Sequence, residues 1–86
     1  MTILVDTPVN YGNGRIYAHM VSDSSIKELH QFAKRLGLKK DSFRVTNSGF
    51  AHYSINIAKR LRALEMGAKA AGAAEFMKAS RSLSSL

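Results

Sequence analysis

Arg15-Ile16-Tyr17-Ala18-His19-Met20-Val21 is followed by Ser22-Asp23-Ser24-Ser25, and then by Ile26-Lys27-Glu28-Leu29-His30-Gln31-Phe32-Ala33-Lys34-Arg35-Leu36-Gly37. In the first run Ile16, Ala18 and Met20 alternate with Arg15, Tyr17 and His19. That is the period of a strand with one face toward a core and one face equipped for chemistry. In the last run Ile26, Leu29, Phe32, Ala33 and Leu36 recur at helical spacing, while Lys27, Lys34 and Arg35 fall outside that stripe. Ser25 and Glu28 have the spacing of a capping box, with Asp23 or Ser24 as alternative caps. Gly37 suits the position just past a helix end. The spacing therefore predicts a strand over 15–21 and a helix over 25–36.

Upstream, Ile3-Leu4-Val5 is a short apolar run that stops at Asp6, and it predicts a buried strand. Residues 7–14, Thr-Pro-Val-Asn-Tyr-Gly-Asn-Gly, read as a loop in which Pro8 fixes φ and Gly12 and Gly14 permit positive φ. If that loop is tight, the two strands form a hairpin. Downstream, residues 38–49 are polar and basic around Phe43 and Val45. They suit a turn or a short strand, with a turn signal at Asn47-Ser48-Gly49. Residues 50–55 suit another short strand. A second helix is predicted over 56–66, capped by Ser54 or Asn56 and ended by Gly67. Its expected apolar stripe is Ile57, Ala58, Leu61 and Leu64, with Lys59, Arg60 and Arg62 facing elsewhere. Residues 68–71 suit a short strand or a linker, and residues 73–80 a short helix carrying Phe76 and Met77. This order implies a small α/β or α+β domain, with a sheet of about three to four strands packed on two to three helices. The expected organisation is a single domain over 1–80 and a flexible tail over 81–86.

Composition bounds the function. A chain of 86 residues has room for one core. Its 45% hydrophobic and 22% charged residues exclude a wholly disordered or collagen-like chain. With no cysteine, disulfides, thiol nucleophiles and cysteine-based zinc sites are excluded. A net charge of +7 and a pI near 10.2 favour anionic partners. Residues 1–43 carry six Lys/Arg against four Asp/Glu, whereas 44–86 carry seven against two, so the excess lies mainly in the second half. No window approaches the ~20 apolar residues of a membrane span, and Met1–Val5 lacks the length of a signal-peptide core. The expected location is cytoplasmic, with no membrane partner.

The chemistry-bearing residues are fewer. His19, His30 and His52 fall on a strand, on a helix and in the segment entering the second helix. In so small a domain such elements can converge. Three imidazoles in one cleft would suit acid–base chemistry on a phosphodiester or the binding of a phosphate-bearing ligand. Each can equally be a half-buried side chain bonded locally. No HxH or HxxxH spacing occurs, so no metal site and no cofactor is expected. Arg15, Tyr17 and His19 share one strand face, where a guanidinium and an imidazole can reach one phosphate. The bland alternative for these three is a solvated outer face. Gly12-Asn13-Gly14 can offer backbone N–H groups to an anion. His52-Tyr53-Ser54 leads toward the second helix, whose N-terminus favours anions. Tyr53 can stack on a base, donate to phosphate, or pack as a core aromatic. The candidate ligand-binding residues are Arg15, Tyr17, His19, His30, His52 and Tyr53, and the candidate catalytic residues are His19, His30 and His52.

Asp6-Thr7-Pro8, Gly14-Arg15, His19, Ser22-Asp23, Glu28-Leu29-His30, Phe32-Ala33, Leu36-Gly37, His52-Tyr53 and Gly67-Ala68 together resemble a small family of bacteria and their phages, catalogued as domain of unknown function four thousand and thirty-one. The resemblance covers residues 1 to about 75. It implies one small α/β domain in a short, soluble, intracellular protein, and it implies no activity. The polar motif positions map to Asp6, Arg15, His19, Asp23, His30, His52 and Tyr53. Members usually have Asp after the His-Tyr pair, where this chain has Ser54. Many also have a bulky aromatic in the loop after Pro8, for which Tyr11 is the nearest residue.

These readings give a leading expectation and several alternatives. The leading one is the binding of a phosphate-containing small ligand, a nucleotide, in a pocket lined by His, Arg and Tyr, with a homo-oligomer able to complete it. The enzymatic alternative is a metal-independent phosphodiesterase or nuclease, with two His as acid and base and Arg15 on the anionic transition state. A third is nucleic-acid binding through Arg44, Lys59, Arg60, Arg62, Lys69, Lys78 and Arg81. A fourth is a phage protein that inhibits a host protein.

Overall fold

The computed structural model describes residues 2–45, 51–72 and 78. The strand-then-helix reading at the centre of the chain sets the architecture. Strand β3 (Ile16–Ser22) runs through the middle of the sheet, and helix α1 (Ile26–Leu36) returns across it. On one side β3 pairs antiparallel with β1 (Ile3–Val5), Val5 opposite Met20. On the other side it pairs antiparallel with β5 (Ala51–Asn56), His19 opposite Ser54. Strand β4 (Phe43–Val45) adds to β5, and β6 (Lys69–Ala70) pairs parallel with β1. Strand β2 (Val9–Asn10) pairs with the first half of β3. The order is β4-β5-β3-β1-β6, with β2 against β3. The domain is thus α+β, a mixed six-stranded sheet with two helices among the described residues.

The sheet has more strands than the three to four expected. Each ambiguous segment took up an edge: residues 43–45 and 69–70 became strands, and Val9–Asn10, read as loop, pairs with Tyr17 and Ile16. Two-residue strands leave no period to read; pairing to β3 decides them. The hairpin from β2 to β3 turns through Gly12, Asn13 and Gly14, all at positive φ (101°, 54° and 76°). Two glycines and an asparagine are the residues that tolerate that backbone. The turn at residues 47–49, the helix expected over 73–80 and the tail over 81–86 lie outside the described residues, apart from Lys78.

Helix α1 starts and stops as its sequence implies. The Ser25 hydroxyl accepts the Glu28 backbone N–H at 3.0 Å. The Glu28 carboxylate, however, takes the Ser22 hydroxyl at 2.7 Å, and that oxygen in turn accepts the backbone N–H groups of Ser24 and Ser25. A buried serine at the strand end therefore relays the second half of the cap. At the far end Gly37 sits at φ 90°, and Leu38 N–H closes onto the Ala33 carbonyl at 2.9 Å. That is a Schellman ending. Between them Leu29, Phe32, Ala33 and Leu36 are buried, while Ile26, expected in the stripe, is exposed in the first turn.

Alternation sorts the strands into two faces. Ile3, Val5, Ala18, Met20, Tyr53 and Ile55 meet the helices in the main core. Leu4, Val21 and Ala71 form a smaller cluster. Leu4 and Val21 are paired across β1 and β3 on the second face, which also carries Tyr17, His19, His52 and Ser54.

Helix α2 (Ile57–Glu65) corrects the sequence reading. Asn56 caps it, accepting Lys59 N–H at 2.8 Å. Its expected stripe faces away from the sheet: Ile57 and Leu61 are 45% and 55% exposed, Ala58 is exposed, and only Leu64 packs partly on the core. Ala63, fully buried, is the docking residue. The side chains flanking it set the orientation. Lys59 Nζ donates to the Leu36 carbonyl at 3.0 Å and Arg60 Nε to the Asp6 carbonyl at 2.8 Å. Two cationic tethers outweigh the apolar period here.

Leu29 has no exposed surface in the core, so Leu29→Ala is expected to cost about 2–4 kcal/mol, read from urea or thermal unfolding. Acid has a separate effect at Asp23. The Thr2 backbone N–H donates to its carboxylate at 2.8 Å and holds its pKa below 3.8. A depressed folded pKa stabilises fully above the unfolded value and is lost as pH falls through the folded one. Asp23→Asn is expected to flatten the dependence of melting temperature on pH as pH falls below about 4, the range in which a lowered Asp23 carboxyl is protonated.

Candidate functional site

The site grows from the point where β1 ends. Beyond Val5 the next pair is Asp6 opposite His19, and it is irregular. Asp6 N–H donates to the His19 carbonyl at 3.1 Å, as a strand would. The return bond goes to a side chain: His19 N–H donates to Asp6 Oδ1 at 2.6 Å. The other carboxylate oxygen meets His19 Nδ1 at 2.8 Å. One carboxylate thus holds both the backbone and the ring of one histidine. Because an ionised carboxylate only accepts, Nδ1 is the donor of that bond, which orients the ring.

The register then builds a cleft on the same face. Ser54 lies opposite His19 on β5. Tyr17 is two residues back along β3, and the hairpin turn brings Arg15 and Tyr11 beside it, Tyr11 N–H bonding to the Arg15 carbonyl at 2.8 Å. Tyr11, Arg15, Tyr17, His19 and Ser54 line a cleft of about 390 Å³. Arg15, Tyr17 and His19 share it, as their common strand face implied.

His52 lies beside the cleft, two residues before Ser54 on β5. Its ring stands edge-on to that of His19, centroids 5.0 Å apart at 72°. It is only 6% exposed. His19 and His52 therefore come together, but His30 does not join them. His30 lies on α1, on the other side of the sheet, where Nδ1 is 2.6 Å from the Tyr53 hydroxyl. Tyr53 is 3% exposed and belongs to the main core. Burial pushes its phenol pKa up, so it is neutral near physiological pH. The expectation that three imidazoles meet in one pocket is corrected by strand alternation, which sends His52 and Tyr53 to opposite faces. Both lie in β5, which leads directly into α2; the cap is Asn56, so neither side chain itself stands at the helix N-terminus.

Asp6, Tyr11 and Ser54 belong to the site although composition and spacing did not single them out for ligand contact. For Asp6 the available signal is a carboxylate placed directly after three buried apolar residues and before Pro8. Tyr11 and Ser54 are visible only through register. No cluster of three or more His, Asp or Glu side chains able to hold a metal occurs among the described residues. No helix there is long and apolar enough to cross a membrane.

These features define a small α+β domain with a basic cleft on one sheet face and a carboxylate-braced histidine in it. The chain belongs to the family described as "Protein of unknown function (DUF4031)", whose model matches residues 3–83. No curated protein and no solved structure matches it. The position at which family members were expected to carry Asp, here Ser54, is a wall of the cleft facing His19.

The brace predicts its own disruption. In Asp6→Asn the amide keeps one oxygen for the His19 N–H and turns its NH₂ toward Nδ1, so the ring proton is expected to move to Nε2. Imidazole ¹⁵N spectra should show the swap of protonated nitrogen at His19; an unchanged tautomer would break the assignment.

Proposed function

We propose that the protein binds a phosphate-containing small ligand, a nucleotide, in the cleft of Tyr11, Arg15, Tyr17, His19 and Ser54. The observation that carries this reading is the convergence of the Arg15 guanidinium and the braced His19 ring on one cleft. A guanidinium grips a phosphate through paired N–H donors, and the hydroxyls of Tyr11, Tyr17 and Ser54 supply further hydrogen bonds. The exposed rings of Tyr11 and Tyr17 give a base something to stack on. A cleft of about 390 Å³ suits one small molecule. The excess positive charge of the chain draws anions toward it. Sequestration of a signalling nucleotide by a phage or bacterial protein in the cytoplasm, with a homo-oligomer enclosing the ligand further, belongs to the same proposal.

The Asp6–His19 bond favours one second reading. A histidine with its Nδ1 proton held by a carboxylate is suited to act as a general base, and Arg15 would then face the anionic transition state of phosphodiester cleavage. Turnover of a dinucleotide followed by ³¹P NMR separates the two readings, since binding alone leaves the phosphodiester resonance intact.

Arg15→Lys discriminates a shaped site from a diffuse field. Lys keeps the charge and loses the paired geometry. Calorimetric titration of a nucleotide is expected to show a loss of about 1–3 kcal/mol in Arg15→Lys, with the melting temperature of the free protein unchanged. A silent Arg15→Lys together with affinity that falls steeply with salt would instead favour nucleic-acid binding through the basic surface.

A further inference from the structure

The chain makes a second concavity on the helix side of the sheet, away from the Arg15 cleft. His30 and Lys34 are one helical turn apart on α1, so they share a wall. The Gly37 ending reverses the chain, and Leu38 and Lys40 form the next wall before β4 begins. Phe43 on β4 sits opposite Tyr53 on β5 and closes the base. These six residues line a cavity of about 650 Å³, well within the range of small-molecule sites.

The lining has a definite chemistry. Its inner surface is aromatic and apolar. Phe43 and His30 stand 4.6 Å apart, Phe43 and Tyr53 5.2 Å, and His30 and Tyr53 5.7 Å, all tilted or edge-on. Leu38 and Phe43 pack on the core yet are only partly buried. The bonded phenol–imidazole pair of Tyr53 and His30 places one polar group in this wall. Among the described residues that line it, both charges are positive, Lys34 and Lys40, and no carboxylate accompanies them. Both lysines are exposed, as a cationic rim would be.

We propose that this cavity is a second ligand site, and that it takes a flat aromatic ring bearing one acidic group. The ring would lie on Phe43 and Leu38, the partly buried apolar side chains of the lining. The acidic group would meet Lys34 and Lys40, which act as point charges and do not impose the planar geometry of a guanidinium. A neutral aromatic would leave the cationic rim unmatched, and a small inorganic anion would leave the apolar base wet.

Two dyes that differ in the acidic group test this. 1-Anilinonaphthalene-8-sulfonate carries a sulfonate; N-phenyl-1-naphthylamine has the same rings without it. The sulfonated dye is expected to bind one-to-one, roughly tenfold or more tightly than the neutral one, with amide shifts centred on residues 30–43 and 53. It is also expected to raise the melting temperature, as a ligand of the folded state does. Lys34→Glu and Lys40→Glu change exposed side chains, so the fold should survive, and each is expected to weaken the sulfonated dye several-fold without affecting the neutral one. Arg15→Ala, in the other cleft, is expected to change neither. Equal affinities for the two dyes, indifference to both lysine reversals, loss of binding in Arg15→Ala, or no saturable binding would each overturn the proposal. Loss of dye binding in Arg15→Ala would assign the dye to the other cleft; the remaining outcomes leave nucleotide binding at Arg15 untouched, so failure of this proposal and failure of the nucleotide reading are distinguishable.

Discussion

The double grip of Asp6 on His19 is the constraint from which the rest of the functional face follows. Were β1 to continue as an ordinary strand, the Asp6 carbonyl would accept the His19 N–H. The carboxylate takes that bond at 2.6 Å, and the carbonyl is released to Arg60 on α2. The strand line then breaks at Thr7-Pro8, where proline has no N–H to give a ladder. Pairing resumes only at Val9. The break sets the position of β2 and hence of the hairpin turn that delivers Tyr11 and Arg15. One side chain thereby fixes the orientation of the imidazole, the course of the edge strand and an anchor for the second helix.

Alternation along β5 does the second part of the work. His52, Tyr53 and Ser54 are consecutive, and each step crosses the sheet. Ser54 faces the cleft opposite His19, Tyr53 enters the core and bonds to His30, and His52 returns to stand against His19. Two concavities of different character therefore share one strand. One is smaller and carries a guanidinium; the other is larger and aromatic, with lysines on the rim. Residues adjacent in sequence serve opposite faces, so a single list of polar positions cannot describe one pocket.

Legibility in the sequence followed the length and strength of the local signal. Helix α1 was readable from Ser25, the stripe at Leu29, Phe32, Ala33 and Leu36, and Gly37, because cap, period and stop agree. The two faces of β3 were readable from seven alternating residues, and with them the grouping of Arg15, Tyr17 and His19. Strand β2 was not readable, since Val9–Asn10 exists only by pairing with β3. That His30 stands apart from His19 and His52 depends on the register between elements, which no local pattern encodes. The role of Asp6 was hidden for the same reason: its partner is 13 residues away across the sheet. The family resemblance includes Asp6 as a motif position, and only geometry says what it does.

Helix α2 shows why the apolar pattern failed where polar chemistry was stronger. Its best hydrophobic stripe would have buried Ile57 and Leu61, at about 1.5–3 kcal/mol for a fully buried side chain of that size. Instead the helix turns Ala63 inward, whose single methyl contributes far less, about 0.8 kcal/mol on a per-carbon scale. What makes up the difference is satisfaction of two carbonyls. The Leu36 carbonyl belongs to the last turn of α1, which has no partner within its own helix, and the Asp6 carbonyl was displaced from the β-ladder. A hydrogen bond to a charged donor contributes about 1.5–3 kcal/mol, and leaving a buried acceptor unmet costs a comparable amount. Lys59 and Arg60 meet both at once only if Ala63 lies between them against the sheet. A small side chain is needed there, because a larger one would hold the helix too far out for the lysine and arginine to reach. The orientation of α2 is thus a consequence of the irregular Asp6–His19 pair, and the residue that braces the histidine also decides which face of the second helix the protein leaves exposed.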